Sequence, residues 1–92
     1  MRSEQLKETI KEIAEKLMAR EDMQKRSLRL DEVFVSNSSR PVVRVYIDKD
    51  GGVNISDIEY FHREFEILLD AEDLIKSKYT LEVSSPGVDK KR

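Results

Sequence analysis

The stretch from Asp48 to Glu59 comes nearest to a chemical motif in this chain. It sets Asp48, Asp50, Ser56 and Glu59 at the first, third, ninth and twelfth positions of a calcium-binding loop. The likeness ends there. Gly52 stands at the fifth position, where an oxygen ligand is needed, and Val53 at the sixth, where the turn requires glycine. A tight turn leading into a capped helix fits better, and no metal is expected. His62 is the only histidine, so a multi-histidine metal site is excluded and a serine-histidine triad would have to be built on that ring. Flanked by Arg63 and lying one position off an apolar stripe, it reads as an ordinary half-exposed helical histidine. Ser84 and Ser85 lack the spacing of a nucleophile elbow. Ser84-Ser85-Pro86-Gly87 reads instead as a turn, with proline biasing Ser85 to extended geometry and Gly87 free to take positive φ. Three glycines spell neither a P-loop nor a dinucleotide fingerprint, and the absence of cysteine removes thiolate chemistry and disulfides. No catalytic residue and no cofactor is assigned, and an enzyme is not expected.

Charge carries more information. The 92 residues hold 17 Lys and Arg against 19 Asp and Glu, a formal charge of -2, and this weakly acidic balance argues against a general nucleic-acid binder. The distribution is uneven. Asp57, Glu59, Glu64, Glu66, Asp70, Glu72 and Asp73 stand against Arg63 alone, whereas Arg20, Lys25, Arg26 and Arg29 outnumber Glu21 and Asp22, and the chain closes on Lys90-Lys91-Arg92. A solvated helix face is the plain reading of such a run; the functional reading is a docking surface for a basic partner, where complementary fields raise association rates and discriminate partners. Asp57, Glu59, Glu66 and Asp70 are the candidate contacts on that surface, together with the turn Ser84, Ser85, Pro86 and Gly87.

The elements that must hold these residues follow from periodicity. Leu6, Ile10, Ile13, Ala14 and Leu17 return to one side of a 3.6-residue period and predict an amphipathic helix from about Ser3 to Arg20, with Ser3 as N-cap. Met18 and Met23 trail off that stripe, and Arg20 to Ser27 reads as a loop. Period two begins at Leu28, but Leu28 and Leu30 fall on the opposite phase to Val33 and Val35, so a strand with a bulge or twist near Asp31 is expected. Asn37 to Pro41 has turn composition, and Val43, Val45 and Ile47 alternate with Arg44 and Tyr46 in a second strand, completing a hairpin. Two cap signals, Asn54 with Asp57 and Ser56 with Glu59, open a second helix that runs to about Asp70. The second pair has the residue types of a capping box. Ile58, Phe61, Phe65, Leu68 and Leu69 form its inner stripe, Ala71 to Lys78 reads as a loop, and Tyr79, Leu81 and Val83 mark a third strand.

The order helix-strand-strand-helix-strand predicts an α+β two-layer sandwich, a three-stranded sheet with two helices on one face. The second strand should be central, and a helical crossover makes it parallel to the third, giving a mixed sheet. A chain this short builds one thin core, in which Phe65 and Ile47 should be among the most buried residues. The longest apolar runs are three residues, far below the ~20 of a membrane span, and no secretory signal is visible, so a soluble, cytoplasmic monomer is expected.

The run Arg44-Val45-Tyr46-Ile47-Asp48-Lys49-Asp50-Gly51-Gly52-Val53, the following Asp57, and the closing Tyr79-Thr80-Leu81-Glu82-Val83-Ser84-Ser85-Pro86-Gly87 resemble the N-terminal domain of the bacterial ribosome maturation factor RimP. Arg63-Glu64 and Leu69-Asp70 also fit, and the order of motifs covers essentially the whole chain. Departures are Asn54 where threonine is usual, Ile58 where cysteine is common, the Lys90-Lys91-Arg92 ending, and no glycine ahead of the first strand. The resemblance implies a KH-like two-layer fold without the Gly-x-x-Gly loop that clamps RNA. It implies a non-enzymatic cytoplasmic factor that binds the immature small ribosomal subunit, in part through ribosomal protein S-twelve. It also implies that residues 1–84 form the RimP-like N-terminal domain and that 85–92 begin a linker to a C-terminal domain not contained in this chain.

Three functions compete on these grounds. The first is a protein-docking assembly module whose acidic helix meets a basic ribosomal protein. The second is a KH-like module that binds small-subunit ribosomal RNA directly through Arg20 to Arg29 and the basic tail. The third is a small hydrolase centred on His62, for which a domain of this size offers little pocket volume.

Overall fold

The computed structural model describes residues 3–86. In chain order it contains α1 (Ser3–Met18), α2 (Glu21–Lys25), β1 (Arg29–Val35), β2 (Val42–Asp48), α3 (Ile55–Glu72) and β3 (Thr80–Ser84). Gly87 and the Lys90-Lys91-Arg92 tail lie outside the described residues. The sheet order is β1-β2-β3, with β2 antiparallel to β1 and parallel to β3. This is the expected mixed sheet with a central second strand. A six-residue link lets β1 and β2 run antiparallel, whereas α3 carries the chain back along the sheet before β3 begins, which makes that pair parallel.

The change of phase in β1 is a bulge. Leu30 lies opposite Ile47 and Glu32 opposite Tyr46, so Asp31 has no partner in the ladder. One extra residue restores the phase, and Leu30, Val33 and Val35 all turn to the face that carries Val43, Val45 and Ile47. Onto this face pack Ile10, Ala14 and Leu17 of α1 and Phe61, Phe65 and Leu69 of α3, all buried. The rings of Phe61 and Phe65 stand 5.5 Å apart and tilted by 34°, one turn apart on the inner stripe. Phe65 and Ile47 are fully buried, as the apolar phase predicts.

Two expectations are corrected. The segment Arg20 to Ser27 is not simply a loop, because Glu21–Lys25 form a short helix that buries Met23 completely and brings Met18 into the core with it. Long-range packing of two flexible methionines, rather than local periodicity, decides this. Gln24 seals the junction by donating its side-chain amide to the Met18 carbonyl at 2.7 Å. Ser27 takes φ 60, and the N–H groups of Ser27 and Leu28 return to the carbonyls of Gln24 and Met23, the pattern that commonly stops a helix. Serine thus holds a left-handed position that glycine would adopt without steric cost.

The second correction concerns the start of α3. The capping box is Asn54 with Asp57, not Ser56 with Glu59. Asn54 Oδ1 accepts from the Asp57 N–H at 2.8 Å, and Asp57 Oδ2 accepts from the Asn54 N–H at 3.3 Å. The turn before it needs positive φ at Gly51 (85°) and Gly52 (101°), with Gly52 donating to the Lys49 carbonyl at 2.9 Å. This geometry ends the non-helical segment at Asn54 and leaves Ser56 and Glu59 already inside the helix. At the other end α3 runs two residues past Asp70, and Asp73 stops it at φ 52.

Candidate protein-docking surface

The carboxylates of α3 divide by the neighbours each one meets. Asp57, only 2% exposed, faces the turn and α2, where Arg26 Nη1 and Lys49 Nζ each donate to it at 3.0 Å. Burial alone would push its carboxyl up, but the bonds from Lys49, the Asn54 N–H and Arg26 outweigh it and hold the group below the ordinary carboxylate value. One turn further on, the Tyr60 hydroxyl donates to Asp22 Oδ2 at 2.6 Å while the Arg26 guanidinium lies 4.0 Å over the Tyr60 ring. Arg20 reaches Asp22 at 2.6 Å and Glu64 at 2.8 Å, joining α2 to α3 through a shared cation. The Arg20 guanidinium and then the Tyr60 hydroxyl hold Asp22 well below the usual carboxylate range, and the same carboxylate pushes the Tyr60 phenol up.

The flank of α3 toward β3 differs. Among the described residues neither Glu59 nor Glu66 has an ion-pair partner within 4.0 Å, and both are exposed. They line a shallow hollow of about 410 Å³ with Ile58, His62 and Arg63. Asp70 accepts from the Tyr79 hydroxyl at 3.0 Å, so a neutral donor meets it and its charge stays on the surface. Desolvation first, then Asp70, pushes the Tyr79 phenol up to about 12. His62 Nε2 lies 3.2 Å from the Leu81 carbonyl, which can only accept, so this nitrogen carries the hydrogen. The ring is therefore engaged with the backbone of β3 rather than with a serine or an orienting carboxylate.

The basic segment ahead of β1 is consumed internally. Arg20 pairs with Asp22 and Glu64, Lys25 with Glu21 at 3.7 Å, Arg26 with Asp57, and Arg29 with Asp48 at 3.2 Å and Asp50 at 3.1 Å. The two acids that open the calcium-like stretch thus hold a guanidinium. Residues 18–89 match the family model described as the RimP N-terminal domain. The chain belongs to that family. RimP proteins are ribosome maturation factors, generally non-enzymatic, and the match spans every element from α2 to β3. Most of α1 precedes the matched region, yet it supplies Ile10, Ala14 and Leu17 to the core. Among the described residues no helix is long and apolar enough to cross a membrane.

Of the residues singled out from the sequence, the RimP fold brings Glu59, Glu66 and Asp70 onto one exposed flank and takes Asp57 away from it into the α2–α3 junction. Ser84 pairs in register with Tyr46 on the sheet face opposite the helices, Ser85 is buried at 4% exposure, and Pro86 is half-buried. These three do not join the α3 flank. Sequence reasoning missed the roles of Asp22, Tyr60 and Arg26. The capping pair Asn54 and Asp57 was visible as a spacing, but the contacts of Asp22 with Tyr60 and Arg26 with Asp57 span 38 and 31 residues and left no local signal.

Proposed function

We propose that this chain is a non-catalytic docking module that acts in assembly of the small ribosomal subunit in the cytoplasm. It engages a basic ribosomal protein of the immature subunit, S-twelve being the one the family resemblance points to, through Glu59, Glu66 and Asp70. The observation that carries this reading is the contrast in pairing. Arg20, Lys25, Arg26 and Arg29 already hold carboxylates of this chain, whereas Glu59 and Glu66 form no ion pair within 4.0 Å among the described residues, even with Arg63 in the same hollow. Unpaired surface carboxylates steer a basic partner and discriminate against others. The same internal pairing weighs against direct RNA binding by the segment 20–29, because carboxylates beside its cations lower the net positive field it presents to phosphates.

The test is reversal of Glu59 and Glu66 to lysine in one variant. Neither residue makes the capping box, and lysine keeps helix propensity, so the circular dichroism melt should match the parent. Association with purified small-subunit proteins should slow, most strongly at low salt. Unchanged association at low salt would return the flank to a solvated helix face.

A further inference from the structure

The sheet has two outer strands, and they are not equivalent. On β1 the Asp31 bulge interrupts the ladder, and exposed Asp31 and Glu32 lie at the interruption, two devices that blunt a strand edge against pairing. β3 has a continuous register from Thr80 to Ser84. Thr80 donates its N–H to the Pro41 carbonyl at 3.0 Å, so its backbone groups point at β2. Strand alternation then turns those of Leu81 and Val83 outward, away from the sheet. The Leu81 carbonyl confirms the direction, since it meets His62 of α3 rather than β2.

Alongside this edge runs the acidic flank, where Glu59 and Glu66 form no ion pair among the described residues. Asp70 holds Tyr79 just before β3, Glu66 is close enough to add to the rise in the Tyr79 hydroxyl, and Glu59 shares the hollow beside His62. Outward main-chain donors and acceptors next to carboxylates that form no ion pair among the described residues fit one class of occupant. We propose that the outer edge of β3 receives an extended lysine- or arginine-bearing segment of a protein partner as a fourth strand, with Glu59, Glu66 and Asp70 reading its basic side chains. This rests on the docking role of the α3 flank given above and adds how the partner is held. Main-chain bonds supply affinity and the flanking carboxylates supply selectivity, as in other strand-addition complexes. His62 is the guard of that edge: it occupies the Leu81 carbonyl, and the incoming strand displaces it.

The probe is a decapeptide of alternating valine and lysine, titrated into the ¹⁵N-labelled chain, beside the same peptide N-methylated at alternate amides. Binding should slow hydrogen exchange at the Leu81 and Val83 amides. N-methylation should weaken it at least tenfold without changing the charge. Val83→Pro removes an outward N–H and spares the β2 ladder, so it should weaken binding by a similar factor, while Val83→Ala, which also gives up core packing but keeps the N–H, should bind as the parent does. His62→Ala should tighten binding several-fold, because the Leu81 carbonyl is released. If Glu59→Lys with Glu66→Lys abolishes binding while the methylated peptide, Val83→Pro and His62→Ala all behave as the parent does, docking on the α3 flank stands and strand addition is overturned. If the peptide fails to bind, or protection of Leu81 and Val83 is absent, strand addition is likewise overturned. Should a single-stranded oligouridylate compete for the same amides as well as the peptide does, the occupant class is wrong.

Discussion

On the flank of α3 that faces α2, Asp57 and Glu64 each hold an arginine, and Asp57 holds a lysine as well; on the flank that faces β3, Glu59 and Glu66 hold none among the described residues. The residues are chemically alike and lie within one turn or two of each other. Their difference comes from what the fold places opposite them. A carboxylate facing α2 is desolvated and must be matched, so it ties elements together. A carboxylate facing solvent beside a strand edge costs nothing to leave unmatched, so it keeps its field for a partner. Formal charge along a helix therefore overstates the charge available for docking, and the structure separates the two.

The comparison presupposes the core beneath both flanks, and the largest effect is expected there. Phe65 is fully buried in the second layer, and Phe65→Ala should cost about 3–5 kcal/mol, seen as a large drop in melting temperature. A melt equal to the parent's would overturn the layer assignment on which both flanks depend. The next effect divides the flanks directly. Asp57→Ala removes half a capping box and leaves Arg26 and Lys49 without their shared carboxylate, which should cost about 2–4 kcal/mol in urea denaturation. Glu59→Ala, two residues on, should stay within about 0.5 kcal/mol of the parent. Equal losses from the two substitutions would erase the distinction.

Acid titration gives a third, smaller test of the same asymmetry. Asp57 and Asp22 are both held below the ordinary carboxylate value in the folded chain, so the folded state binds their protons less readily than the unfolded state does. Their stabilisation is present above the unfolded value and is lost as the pH falls through the folded value. Melting temperature should therefore decline below about pH 4, and Asp57→Asn should make that decline shallower.

The smallest expected effect concerns how α2 is positioned against the matched flank. Ser27 ends α2 at φ 60, and Ser27→Gly should stabilise the chain by roughly 1 kcal/mol by relieving its left-handed backbone. Partner association, proposed for the other flank, should not change. A change in association without one in stability would mean that α2 takes part in docking.

How much of this was legible beforehand depends on the range of the interaction that decides each feature. Alternation at Val43, Val45 and Ile47 and the stripe through Phe61 and Phe65 are properties of neighbouring residues, and they implied the strands, the long helix and the mixed sheet. Even the irregularity at Asp31 was written in the chain as a phase slip between Leu30 and Val33 that called for a bulge or a twist, and the ladder takes the bulge. The choice of Asn54 over Ser56 as the cap was open locally, since both spacings satisfy the pattern, and the positive φ angles at Gly51 and Gly52 decided where the turn ended. Met23 lies outside any period and is buried only because α2 folds back against α1. Sequence by itself determined which residues form the layers and that α3 is rich in carboxylates. Only the tertiary structure decided which of those carboxylates meet cations, because Arg20 lies 44 residues from Glu64 and Arg26 lies 31 from Asp57, and no local pattern encodes a contact made by packing one element against another.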